Sequence, residues 1–204
     1  MPRNLSPTEI ADFQDRLCDA AEHLFAEHGP DAVTIRQLAS ALGVSPMTPY
    51  RYFKDKDAIL ATVRARAFDA HAQALEDAYA APAASAAERA HAIETAYVQF
   101  ALAHPEAYKL MFDIRQPNAW DYPELVRASD RSRATMTRHL YDLAAAGLLH
   151  EDPVLVGHMY WAALHGPIML QLSGMLTPDI DLRVLIAALT EAITRARFEI
   201  ARRT

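Results

Sequence analysis

Residues Thr34–Lys56 read TIRQLASALGVSPMTPYRYFKDK, and this stretch decides the fold. Thr34, followed three residues on by Gln37, has the form of a capping box, so a helix starts at Ile35. Ile35, Leu38, Ala39 and Leu42 then share one helical face. Gly43 sits where the chain must turn without a Cβ clash. Ser45 caps the next element, and Pro46 suits its first position. Pro49 removes a further backbone donor, which predicts a short, partly 3₁₀ element. The pattern is a helix-turn-helix, whose second element presents its N-terminal residues to the DNA major groove.

Working outward, helical signals fill the chain. Ser6, Pro7 and Glu9 open a helix that carries Ile10, Phe13, Leu17, Ala21, Leu24 and Phe25 at helical spacing and stops at Gly29-Pro30. Its apolar stripe should complete a three-helix head. Asp55 caps a long helix from Lys56 to about Tyr79. Ser85 and Glu88 form another capping box, for a helix that ends near His104-Pro105, and a short helix covers 106–112. Pro117, Asn118 and Asp121 mark a loop over 114–122. Pro123 opens a helix running to Gly147, and Asp152-Pro153 restarts one reaching about Leu172. The last helix places Leu182, Leu185, Ile186, Leu189, Ile193, Ala196 and Ile200 on one stripe. With no strand-like alternation, the expectation is an all-α chain of about nine helices. A helix-turn-helix DNA-binding domain spans 1–55, and a helical-bundle ligand-binding and dimerisation domain spans 56–204.

Composition bounds the class. A hydrophobic content of 51% and a charged content of 23% fit a globular protein. No apolar run reaches the roughly 18 residues of a membrane span. The start, MPRNLSPTEI, lacks the apolar core of a secretion signal, and the single Cys18 forms no intrachain disulfide. Both point to a cytoplasmic setting. The net charge of −6 is unusual for a DNA binder. Within 34–56, however, Arg36, Arg51, Lys54 and Lys56 stand against Asp55 alone, a local +3. The acids Asp12, Asp15, Asp19, Glu22 and Glu27 collect on the first helix. So modest a basic surface binds DNA weakly and salt-dependently, and a usable affinity needs two copies of the reader.

The tract GVSPMTPYRYFKDKDAIL closely resembles the recognition element of the tetracycline-repressor (TetR) family of bacterial regulators. Tyr50, Phe53 and Lys56 match the family pattern; Tyr52 replaces its usual histidine, and Pro49 is a second departure. Trp161, His165 and Gly166 resemble a Trp-x-x-x-His-Gly signature of one group of TetR C-terminal domains, as does the tract over 97–112. The resemblance implies a double-stranded DNA operator as partner, a small-molecule ligand, and a homodimer formed by the last two long helices. It also implies that the long helix from Lys56 couples ligand to head spacing. DNA-binding candidates are Thr34, Arg36, Ser45, Pro46, Met47, Thr48, Tyr50, Arg51, Tyr52 and Lys56. Of these, Pro46, Met47 and Thr48 are expected at base edges, and Tyr50, Tyr52 and Lys56 at phosphates.

The C-terminal half is rich in Met and aromatic residues, which suit either ordinary core or the lining of a pocket for a hydrophobic or aromatic ligand. The ligand-binding candidates are Tyr97, Phe100, Met111, Trp161 and His165. No catalytic residue, metal site or cofactor is expected. His158 and His165 lie about 10.5 Å apart along a helix, too far to chelate one metal, and there is no cysteine cluster. A ligand-binding or protein-interaction module of the same fold without operator binding is the alternative, and a small helical enzyme ranks below it.

Overall fold

The computed structural model describes residues 6–113 and 119–197. Among the described residues are eight α-helices, two 3₁₀ turns and no strand. The helices are α1 (Pro7–His28), α2 (Ile35–Ala41), α3 (Lys56–Ala80), α4 (Ala86–Ala103), α5 (Pro105–Phe112), α6 (Pro123–Ala145), α7 (Pro153–Leu172) and α8 (Leu182–Arg197). The 3₁₀ turns cover Pro49–Arg51 and Ala119–Asp121. The all-helical expectation holds, and the short, partly 3₁₀ recognition element expected from Pro49 is a 3₁₀ turn, which leaves eight α-helices where about nine helices were expected. Residues 114–118 of the expected loop, and Ile200 of the last stripe, lie outside the described residues.

The chain divides into two compact units, one drawn from Met1–Asp69 and Glu106–Ser129, the other from Ala70–Pro105 and Asp130–Thr204. Helices α3 and α6 contribute to both.

In the first unit the sequence signals act as read. Glu9 N–H donates to Ser6 Oγ at 3.2 Å, and Glu9 Oε2 accepts from Ser6 N–H at 2.8 Å. Thr34 and Gln37 repeat the arrangement at α2. Asp55 Oδ1 accepts the Ala58 N–H at 2.8 Å and starts α3. Phe13, Leu17, Ala21 and Phe25 from α1 meet Leu38 from α2, Ile59, Leu60 and Val63 from α3, and Leu110 from α5. Each of these side chains larger than alanine contributes roughly 1.5–3 kcal/mol by leaving water. Cys18 is buried in this core, and burial pushes its thiol pKa up, so it is an inert packing residue.

In the second unit α7 packs against α8 and α4. Asp152 caps α7 through the Val154 N–H, and the helix continues through Pro167. Ser85 caps α4, but Glu88 reaches past it to the Ala84 N–H at 2.8 Å, so the reciprocal half of the expected box closes one residue upstream. Gly157 on α7 lies against α6: a Cβ there would stand 2.6 Å from Thr137 Cγ2. Gly157→Ala is therefore expected to cost about 1–3 kcal/mol through displacement of Thr137, read as a lower urea midpoint at unchanged slope. No described helix is long and apolar enough to cross a membrane.

Candidate nucleic-acid interface and ligand cavity

The recognition turn is built by subtraction of hydrogen-bond donors. Helix α2 ends in a Schellman arrangement, with Gly43 N–H on Ser40 O and Val44 N–H on Ala39 O, both at 3.0 Å. Gly43 itself sits at φ +68°, a backbone state that a side chain would strain. In an α-helix the next carbonyl, Ser45 O, would take the N–H of residue 49. Pro49 has none, and Thr48 N–H bonds there instead at 2.8 Å. Pro49 is buried and opens the 3₁₀ turn, closed by Tyr52 N–H on Pro49 O at 3.0 Å.

This backbone sorts the ten DNA candidates. Arg36, Ser45, Pro46, Met47, Tyr50 and Arg51 are exposed, Met47 by 68% and Tyr50 by 51%. Thr48 is half-buried between them. Thr34 is exposed, but its hydroxyl is engaged by Gln37 Oε1 at 2.7 Å. Tyr52 and Lys56 face inward. Tyr52 packs its ring 4.8 Å from that of Phe13. Lys56 Nζ donates to Pro30 O at 2.6 Å, which ties the α1–α2 connection to the start of α3. In this structure, then, two of the three residues expected at phosphates, Tyr52 and Lys56, are engaged in packing the head, and Tyr50 alone stays exposed. The acids of α1 are partly neutralised, Asp12 by Arg16 and Asp19 by Arg66.

The second unit holds a cavity of ≈ 330 Å³ among α4, α6, α7 and α8. Its walls are mostly aliphatic, with Ala90 and Ile93 from α4, Leu140 and Leu143 from α6, and Leu164 from α7. Polar groups enter at His91, Glu94, His139, Tyr160, Thr190 and Thr194, with His91 exposed at the α4 side. Size and lining match those of a small-molecule site. His139 Nδ1 is buried without a hydrogen-bond partner. Burial pushes His139 down to about 4, against the opposing pull of Asp142, so the ring is neutral. Burial also raises the Tyr160 phenol, and the nearby Glu94 charge adds to that.

None of the five expected ligand residues lines this cavity. Tyr97 and Phe100 set their rings 4.9 and 5.1 Å from the buried His71, one to two turns further along α4 from the cavity-lining Ile93. Met111 belongs to the first unit and is buried there. Trp161 and His165 are half-buried, their rings 6.3 Å apart. Helix α7 instead turns Tyr160 and Leu164 to the cavity, one residue earlier and so about 100° around the helix. Met136, noted in the sequence for its adaptable side chain, does line it.

Comparisons with known proteins follow the same division. Residues 17–63 match the model for bacterial regulatory proteins of the tetR family, and residues 90–193 match that for the tetracyclin repressor-like C-terminal domain. The HTH-type transcriptional regulator Rv0681 of Mycobacterium tuberculosis is 27% identical over 94% of this chain and 83% of its own. The HTH-type transcriptional repressor Rv1474c of that organism is 37% identical over 29% of this chain and 31% of its own. A structure from Rhodococcus sp. RHA1, 28% identical, superposes with a TM-score of 0.78 over 97% of this chain and 98% of that one. The chain therefore belongs to the TetR family of transcriptional regulators, with a DNA-binding N-terminal domain and a ligand-binding C-terminal domain.

Proposed function

We propose that this regulator is a homodimeric repressor of a two-fold operator, released when a small, largely apolar ligand fills the cavity among α4, α6, α7 and α8. The observation that carries the DNA reading is the recognition turn, a fixed backbone that holds Met47, Tyr50 and Arg51 out in solvent. Pro46, Met47 and Thr48 read base edges; Arg36, Tyr50 and Arg51 hold phosphates. Thr34, Ser45, Tyr52 and Lys56 support the reader from behind. Repression is favoured by the likeness to Rv1474c, itself a transcriptional repressor.

The homodimer forms through α7 and α8. Helix α7 is apolar around most of its circumference, and packing on α4, α6 and α8 still leaves part of that apolar surface exposed. Leu155 and Leu170 on α7, and Val184 and Leu189 on α8, are all exposed. Pairing two copies there sets two heads about 34–36 Å apart, one DNA turn, or a multiple of it. Ligand release requires only that the cavity bind ligand more tightly in the state that fits DNA less well.

A mobility-shift titration against promoter DNA at several salt concentrations tests the head. Arg51→Ala is expected to lower the salt slope by about one unit for every sequence. Thr48→Ala should instead change preference at one operator position. Arg51→Ala with slope and affinity both unchanged removes the phosphate assignment. Lys56 is the poorer probe, because its loss also frees the Pro30 carbonyl. A folded chain that shows no DNA binding at low salt would leave a ligand-binding module in place of a regulator.

A further inference from the structure

The direction of each hydrogen bond around the cavity fixes what the cavity offers a guest. Thr194 Oγ1 donates its one proton to Thr190 O at 2.8 Å. Its contact with Tyr160 Oη at 2.7 Å must then run the other way, with the phenol donating. Thr190 Oγ1 likewise donates to Ile186 O at 3.1 Å. All three hydroxyl protons are therefore spent on the protein, and the oxygens keep only lone pairs. Glu94 adds a carboxylate beside the phenol. Among the described residues, no lysine or arginine lines the cavity. His139 brings an unpartnered ring nitrogen, whose role as donor or acceptor follows its tautomer.

The geometry points to an effector that is a cationic amphiphile: a primary or secondary ammonium on an apolar body, its N–H groups donating to Glu94, Tyr160 Oη and the threonine oxygens. An anionic guest such as a fatty carboxylate meets lone pairs and a like charge at this polar cluster instead, with no lysine or arginine to answer it and only the exposed His91 ring elsewhere on the lining. A neutral alcohol falls between them. The aliphatic walls take the body without discrimination, and the head group decides. This deepens the cavity's reading as the effector site and rests on it.

The test compares three ten-carbon probes that differ only in the head group: decylammonium, decanol and decanoate. Binding to the full-length protein is read by titration calorimetry at neutral pH. Decylammonium is expected to bind at least about tenfold more tightly than decanoate, the scale of one charge-assisted contact. Glu94→Gln keeps the shape and should weaken decylammonium by about tenfold while leaving decanol within about twofold. Ala90→Trp fills the cavity from α4 and should abolish binding of all three. Circular dichroism on both variants establishes that the fold is kept. Decanoate binding as tightly as decylammonium, or Glu94→Gln sparing decylammonium, overturns the cationic assignment; the effector site itself then stands if Ala90→Trp still blocks decanol. No binding by any probe, or binding unaffected by Ala90→Trp, overturns the site together with its chemistry.

Discussion

A Val184→Glu, Leu189→Glu double variant is expected to sediment as a folded monomer and to lose about 10²–10⁴-fold in operator affinity, the range set by losing the second foothold. Val184 is 67% exposed and Leu189 38% exposed, so neither charge is forced into the chain's own core. In the proposed dimer, each sits against its symmetry mate, and four carboxylates near one two-fold axis repel at short range. Circular dichroism keeps the result interpretable: a helical monomer that still binds DNA as tightly as wild type rules out the bivalent model. Ile193 is not a suitable partner in this test. It shares the apolar stripe of α8 in the sequence, yet it packs inward beside Leu140, Leu143, Leu149 and Val156. A charge there would unfold the unit and say nothing of assembly.

Acid should unfold the second unit well before carboxylates are fully protonated. His71 is buried, with Nδ1 2.9 Å from Ser132 Oγ, Nε2 unpartnered, and the rings of Tyr97 and Phe100 against it. Burial pushes its pKa from 6.5 down to about 4. Between those values the unfolded chain holds a proton that the folded chain refuses. Stability is thus greatest above about pH 6.5 and falls as pH drops toward 4. For His71 alone the loss approaches about 3 kcal/mol, at 1.36 kcal/mol per pKa unit. His139, also lowered to about 4 by burial against the opposing pull of Asp142, acts in the same direction. Urea midpoints measured from pH 7.5 to 4.5 should fall accordingly. His71→Phe should flatten much of that slope, at a cost of about 1 kcal/mol near neutrality from the stranded Ser132 hydroxyl. A wild-type midpoint that stays level across the range removes the buried-histidine account.

The sequence disclosed local structure far better than it disclosed facing. Helix starts at Ser6, Thr34, Asp55 and Asp152 were legible because a cap is a local event, set by a side chain and an N–H two or three residues on. The recognition turn was legible for the same reason, since proline acts on its own backbone. The cavity was not. Periodicity groups Trp161 with His165 and Tyr160 with Leu164 equally well. Which pair meets the space among α4, α6 and α8 depends on how those helices dock. Tyr97 and Phe100 were drawn to the histidine on α3, a contact between residues 26 and 29 positions apart that no local pattern announces. Lys56 shows the limit from the other side: a basic residue at the right place in a motif can spend its charge on a carbonyl of its own chain.

The two prolines of the reader have a consequence for how its specificity can drift. With φ fixed at Pro46 and Pro49, little backbone freedom remains to be frozen when the turn meets a groove. The side chains at 47 and 48 are then like interchangeable keys on a stiff handle. Replacing one alters what is read without altering how the handle is held. A library randomised at these two positions should yield folded readers with new base preferences at high frequency. The same library in a Pro49→Ala background should yield fewer, because each new contact must then also order the chain that carries it.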